Sequence, residues 1–118
     1  MTIEEKKVTI EEKKMTIEET ENAYPKQFLS VDGKYSKNIW GTKFKVKGEI
    51  TNKATKAYYK DITIRIKYYS KTKALIESKD YTIYDVFPPN QEKSYKLDVE
   101  KYEDVESIKL NIVGAKPN

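Results

Sequence analysis

The chain contains neither cysteine nor histidine among its 118 residues. Disulfide bonds, thiol nucleophiles, zinc sites of the cysteine and histidine kind, and every triad built on a histidine base are therefore excluded. Glycine is scarce as well, with four residues that form no clustered loop of the kind that cradles a phosphate. These absences remove much of enzyme chemistry, and the sequence predicts a protein that is not an enzyme and holds no cofactor or metal.

Long apolar runs are also missing. Met1 is followed at once by Thr-Ile-Glu-Glu-Lys-Lys, so the printed sequence shows neither a secretory signal peptide nor a membrane-spanning segment. Carboxylates are plentiful, but they lie in polar, turn-like runs such as residues 100–106, without the spacing typical of an acid–base pair. We therefore expect no catalytic residues.

A seven-residue phrase opens the chain in three consecutive copies, of which the last is divergent: residues 2–8, 9–15 and 16–22. Apolar positions two and five residues apart form neither the seam of a coiled coil nor a strand with one apolar face. Thr9 and Glu12 have the spacing of a helix capping box. The repeat predicts a charged leader over residues 1–23, disordered or a fraying helix, that serves as a tether. Self-association of the leader is the alternative.

Charge is divided unevenly between this leader and the rest of the chain. The first 22 residues hold seven Glu and four Lys, whereas the remainder holds 19 basic and 12 acidic residues and has a net charge of +7. A basic domain favours contact with phosphates, acidic glycans or anionic lipid surfaces, although the same excess also keeps a domain soluble.

Beyond Pro25 the hydrophobic period is two. Apolar residues alternate with polar ones in two long stretches, 40–51 and 61–68, as is typical of half-buried strands. Shorter runs and turn signals bring the total to about seven strands, so we expect residues 24–118 to form one all-β, immunoglobulin-like antiparallel β-sandwich. Trp40 is expected in its core. Gly48 is expected to mark a bulge or a close backbone approach, and Asn52 a turn.

Three stretches also carry a family resemblance: residues 47–53 with their glycine and asparagine, residues 59–69, and the proline turn at 88–90 followed by 94–97. In order and spacing they resemble the FxLYD-type immunoglobulin-like domains of bacterial and archaeal envelope proteins, over about Phe44 to Leu97. The resemblance implies an extracytoplasmic accessory module, often on a lipoprotein or membrane-tethered protein, with no catalytic residues. Because the printed sequence shows no export segment, a cytoplasmic location is the alternative.

Six outward residues of the two long strands form the candidate binding face, namely Lys43, Lys45, Lys47, Arg65, Lys67 and Tyr69. Side chains on one side of a strand recur about every 7 Å. If the two strands pair as neighbours, these residues make a cationic surface for an anionic polymer or a protein. Nucleic acid is not expected, because no aromatic ring interrupts the three lysines to stack a base. Lysine on exposed strands also prevents aggregation, which is the structural alternative.

The sequence thus predicts a non-catalytic, envelope-associated module that contacts a protein or an anionic polymer through a sheet face or edge. The alternative is a structural domain that assembles with its own copies, or with a partner, by β-edge addition.

Overall fold

The computed structural model describes residues 15–37 and 43–118. Two short helices precede seven strands: α1, Ile17–Ala23; α2, Pro25–Phe28; β1, Leu29–Val31; β2, Lys34–Lys37; β3, Lys43–Asn52; β4, Tyr59–Tyr69; β5, Leu75–Phe87; β6, Gln91–Glu100; and β7, Ser107–Pro117. The predicted all-β, immunoglobulin-like antiparallel sandwich is confirmed. Trp40 and the first two copies of the repeat, apart from Met15, lie outside the described residues. Among the residues that are described, no helix is long and apolar enough to cross a membrane.

Two antiparallel sheets form the sandwich. In sheet A, β3 is central, with β6 along one side and β1 followed by β2 along the other. In sheet B, β4 is central between β5 and β7. The chain therefore crosses between the sheets three times, after β3, after β5 and after β6. Crossings of this kind are typical of immunoglobulin-like domains.

The predicted pairing of the two long strands is wrong. Stretches 40–51 and 61–68 are expected to be neighbours, but β3 and β4 are the central strands of different sheets. Residues 53–58 carry the chain across the sandwich instead of turning it back as a hairpin. Both strands bury one apolar face in the same core from opposite sides, so a period of two is satisfied equally by either arrangement.

The core lies between the two sheets and confirms the predicted alternation. Its almost inaccessible side chains come mainly from the central strands: Phe44, Val46 and Ile50 of β3, and Tyr59, Ile62, Ile64, Ile66 and Tyr68 of β4. The predicted turn at residues 88–90 is also confirmed, with Pro89 and Asn90 joining β5 to β6.

Asn52 ends β3 as a buried structural residue, 1% exposed. Its side-chain amide donates to the backbone carbonyl oxygens of Ala57 and Phe87, both at 3.0 Å, and its side-chain oxygen accepts the Ala54 N–H at 2.9 Å. These bonds satisfy the amide completely within the protein and shape the turn that leads to β4.

A kink at Asp32 and Gly33 divides the first edge of sheet A. Two separate strands lie there, β1 and β2, and both pair with β3. The kink approaches Gly48 so closely that a Cβ added at Gly48 would lie 2.0 Å from the Asp32 carbonyl oxygen. The close backbone approach expected at Gly48 is therefore confirmed, because any side chain there would collide with the kink.

Helix α1 begins at a capping box formed by Thr16 and Glu19. The Thr16 hydroxyl accepts the Glu19 N–H at 3.1 Å, and the Glu19 carboxylate accepts the Thr16 N–H at 3.4 Å. At seven residues the helix is too short to be stable alone, so it depends on contacts with the sandwich for its stability.

Glu21 attaches α1 to the sandwich. Its side chain is 2% exposed, and its carboxylate accepts the backbone N–H groups of Thr55, Lys56 and Ala57 at 2.7–3.0 Å. The Tyr59 hydroxyl donates to the Glu21 carbonyl oxygen at 2.6 Å. Contacts with the sandwich therefore extend into residues 17–23, across the boundary that composition predicts after residue 23.

Candidate anion-binding site

The six residues of the predicted binding face fall on two different sheets. Lys43, Lys45 and Lys47 are exposed on the outer face of sheet A, whereas Arg65, Lys67 and Tyr69 are half-buried on the outer face of sheet B. The outer faces of a sandwich point in opposite directions. The single cationic surface predicted from the sequence is therefore not assembled, because it depends on the incorrect pairing of β3 with β4.

On sheet B, Arg65 is bound to a carboxylate. Its Nε lies 2.8 Å from Asp80 Oδ1 and its Nη2 lies 3.1 Å from Asp80 Oδ2, a bidentate pair between neighbouring strands. Hydrogen bonding to Asp80 raises the pKa of Arg65, and the same contact lowers the pKa of the Asp80 carboxyl. In the part of the predicted face that lies on sheet B, the charge of Arg65 is therefore already neutralised by Asp80.

The aromatic member of that half has a cation beside it as well. Lys109 Nζ lies 5.4 Å from the centre of the Tyr69 ring, within the range of a cation–π contact. Lys109 is also the cross-strand neighbour of Lys67.

Sheet A places Lys47 of the predicted face beside two lysines that the sequence did not single out, Lys34 and Lys96. Lys47 lies directly opposite Lys34 of β2 on one side and Lys96 of β6 on the other. All three side chains are exposed, and none forms an ion pair with a carboxylate in the described part of the chain. Because neighbouring strands lie about 4.8 Å apart, these lysines stand in a line about 10 Å long across the sheet. We call Lys34, Lys47 and Lys96 the lysine row.

The lysine row borders a hollow of about 900 Å³ on the outer face of sheet A. The kink at Asp32 and Gly33 and the glycine at position 48 contribute to its lining. Glu49 and Ser94, which are cross-strand neighbours, also line it. The hollow therefore combines three ammonium groups with two carboxylates and a hydroxyl group.

Tyr95 supports this region from the core side of the sheet. Its hydroxyl donates to the Asp32 carbonyl oxygen at 2.6 Å, which anchors the kink. Burial, assisted by the negative charge of Asp32, raises the pKa of Tyr95 to about 12, so the phenol stays a hydrogen-bond donor at neutral pH.

The remaining chemistry of the described residues is limited. No group of three or more His, Cys, Asp or Glu side chains suited to a metal ion occurs in residues 15–37 and 43–118. Of the tyrosine pair at the start of β4, Tyr59 is buried and Tyr58 is 47% exposed. Among the aromatic side chains in the described residues, Tyr84 on β5 is the most exposed, at 81%.

Comparisons with known proteins assign no family to this chain. No protein-family model matches the chain, and no curated protein matches it. A solved structure of a DUF1425 family member from Shewanella sp. pv-4 is similar to it, with 14% sequence identity and a TM-score of 0.46 over 76% of this chain and 79% of that chain. The resemblance to FxLYD-type domains stays a prediction.

Proposed function

We propose that this domain is a non-catalytic binding module of the cell envelope that holds an anionic polymer on the lysine row of sheet A. One observation carries the proposal: three lysines from three strands lie side by side with no carboxylate paired to them among the described residues. Ammonium groups arranged in this way attract phosphate and other anionic groups and release their counterions on binding.

The neighbouring rows of sheet A show that opposite charges are also used on this face. Lys43 lies opposite Glu100, and Lys45 lies opposite Asp98. Like charges placed directly opposite each other destabilise a sheet, whereas opposite charges stabilise it. In the described strands no carboxylate lies directly opposite any of the three lysines, so the cost of the lysine row to stability is better explained by an anionic ligand than by solubility alone.

The resemblance to FxLYD-type domains supports the placement of the module in the envelope. In that setting the charged leader would space the sandwich from an anchor or from another segment of the protein. A protein partner with an acidic surface would engage the same lysines.

Salt-dependent retention of the full chain on immobilised heparin tests this function. Replacement of all three residues of the lysine row by alanine is expected to lower the salt concentration of elution clearly, because each lost lysine removes about one released counterion. Three exposed lysines elsewhere provide a charge-matched control: Lys53, Lys71 and Lys116. Equal shifts for the two triple variants, or no salt-sensitive retention of the native chain, would contradict the proposal.

A second candidate function is assembly by β-edge addition. It is favoured by the edge position of β5, which pairs only with β4 among the described strands and exposes Leu75, Tyr84 and Val86. Unpaired backbone groups beside exposed apolar side chains can accept another strand. Light scattering over a wide concentration range tests this candidate, and a strict monomer would argue against self-assembly.

A further inference from the structure

The hollow beside the lysine row has two chemically different walls. One wall carries the ammonium groups of Lys34, Lys47 and Lys96, and the other carries the carboxylates of Asp32 and Glu49 with the hydroxyl of Ser94. A site whose only role is to attract an anion would not contain two carboxylates beside three lysines. The carboxylates weaken the attraction of the site for any anion. The presence of the Asp32 and Glu49 carboxylates therefore indicates that the ligand has a second chemical feature besides its negative charge.

Carboxylates accept hydrogen bonds and do not donate them when ionised. One oxygen of Asp32 accepts the Glu49 N–H at 2.9 Å. The other Asp32 oxygen and the Glu49 carboxylate have no hydrogen-bond partner within the described ranges. The groups that complement this wall are therefore donors, and hydroxyl groups are the neutral donors that can lie next to a phosphate in one small molecule.

The charges along β3 also limit the size of the anionic part. One row from Lys47, about 7 Å along the strand, Lys45 lies beside Asp98. In the opposite direction the next row holds Glu49, and the row beyond it pairs Thr51 with Glu92. An extended polyanion laid along the strand would meet carboxylates on both sides of the lysine row, whereas a compact anionic group can lie over the lysine row itself.

We propose that the hollow recognises a phosphate group flanked by hydroxyl groups, as in a phosphorylated polyol or sugar unit. This inference rests on the proposed function. The phosphate offers several strong acceptor oxygens to the three ammonium groups. The hydroxyl groups donate to Glu49 and Asp32 and exchange hydrogen bonds with Ser94. Such a unit, repeated along a chain, is the anionic polymer of the proposed function.

The lining of the hollow is held in place from within. The Tyr95 hydroxyl fixes the Asp32 carbonyl, and the absence of a side chain at Gly48 lets the kink approach β3. A surface held in this way loses little conformational entropy when a ligand binds. Gly33 and Gly48 line the hollow, so their backbone amides report on occupancy in a nuclear magnetic resonance experiment.

The test is a ¹⁵N-resolved titration of the full chain with inorganic phosphate, glycerol 1-phosphate and glycerol. We expect glycerol 1-phosphate to shift the Gly33 and Gly48 amide signals with an affinity about five-fold higher than that of inorganic phosphate, the effect of one added hydrogen bond. Glycerol alone is expected to cause no shift. Lys47→Ala should weaken both phosphate ligands, and its spectrum also shows whether the variant is folded.

Glu49→Gln separates the two walls. Removal of a negative charge should strengthen the binding of inorganic phosphate, while the preference for glycerol 1-phosphate over inorganic phosphate should fall. If inorganic phosphate and glycerol 1-phosphate bind equally, or if Glu49→Gln leaves their ratio unchanged, the inference is overturned.

Failure of the inference can be told apart from failure of the proposed function. Heparin fragments whose affinity rises steadily with length, without any preference for glycerol 1-phosphate, would overturn the inference and keep the polyanion function. Absence of salt-sensitive binding to heparin and to both phosphates would overturn both. Poly(glycerol phosphate) distinguishes the two sources of the unit: tighter binding than that of the monomer assigns the polymer, and weaker binding assigns a free phosphorylated polyol.

Discussion

The phenolic oxygen of Tyr95 lies 2.6 Å from the backbone carbonyl oxygen of Asp32, although 63 residues separate the two in the sequence. Through this bond the core of the sandwich holds the kink that lines the hollow on the outer face of sheet A. The hydrogen bond, the kink and Gly48 form one structural unit, and the candidate site depends on all three.

Replacement of Tyr95 by phenylalanine should destabilise the protein by about 1 kcal/mol, because the Asp32 carbonyl loses its donor. Urea unfolding at neutral pH measures this change. Tyr68→Phe is the matched control: the buried Tyr68 hydroxyl lies near the Tyr81 hydroxyl but forms no hydrogen bond of good geometry among the described residues, so its removal should cost less than removal of the Tyr95 hydroxyl. An equal loss in both variants would show that the Tyr95 hydrogen bond contributes nothing specific.

Alkaline titration should reveal the same contact. Burial, with a contribution from Asp32, raises the pKa of Tyr95 to about 12, above the value of about 10 for a tyrosine in an unfolded chain. The stability contribution of the neutral phenol is therefore fully present below pH 10 and is lost as the pH rises through about 12. Absorbance of tyrosinate should show one fewer late-titrating phenol in Tyr95→Phe. An unchanged late phase would contradict the assignment.

Gly48→Ala should be strongly destabilising. The added Cβ would lie 2.0 Å from the Asp32 carbonyl oxygen, so the kink has to move, and overpacking of this kind costs about 1–3 kcal/mol. Gly114→Ala provides the control, because no atom lies within 4 Å of a Cβ added there. Chemical denaturation of both variants should show a loss for the first and a change within about 0.5 kcal/mol for the second. A reversed order would contradict the close approach.

The Glu21 contact predicts how stability depends on pH. Burial alone raises the pKa of Glu21, but hydrogen bonds from three backbone N–H groups and the Thr55 hydroxyl outweigh it, and the net pKa is lowered. The stabilising contribution of the carboxylate is therefore present above the unfolded pKa of about 4.3 and is lost as the pH falls through the lower folded value. The melting temperature of the native chain should therefore fall as the pH is lowered from 7 into the acidic range.

Glu21→Gln should reduce that fall. The amide keeps one acceptor oxygen and presents donors to the remaining backbone N–H groups, so we also expect a loss of about 1–3 kcal/mol at neutral pH. Glu18→Gln, an exposed change on the same helix, is the control. Parallel pH profiles for the native chain and Glu21→Gln would contradict the role of the carboxylate.

Strands β3 and β4 both carry exposed or half-buried cations, but they should contribute unequally to polyanion binding. Lys47→Ala is expected to lower the salt concentration of elution from heparin more than Arg65→Ala, because Arg65 is bound to Asp80 and lies on the other sheet. Retention on heparin with both variants measures the difference. A larger effect of Arg65→Ala would move the binding surface to sheet B.

The divergence of the third repeat copy has a structural reason. Glu21 occupies the position held by Lys7 and Lys14 in the first two copies. Only an acceptor can bind three backbone N–H groups, and a lysine ammonium is a donor. The third copy is thus adapted to dock on the loop before β4, although composition alone assigns it to the leader.

The sandwich and its buried faces were predictable from the sequence. Alternation of apolar and polar residues reports the direction of each side chain, and a direction is a local property of the backbone. For the same reason Gly48 and the outward position of Lys47 were predictable. The alignment of Lys34 and Lys96 with Lys47 gave no comparable signal, because it depends on the register between separate strands.

Local chemistry along the chain was therefore enough to establish an all-β protein with a basic surface and with no cysteine or histidine chemistry. The choice of partner strands came from folding: β3 and β4 expose similar faces to the core, and only the crossing at residues 53–58 assigns them to opposite sheets. The register of β3 with β2 and β6 then placed Lys34, Lys47 and Lys96 in one line. Backbone hydrogen bonds form between any two strands, so no single stretch of sequence encodes that line.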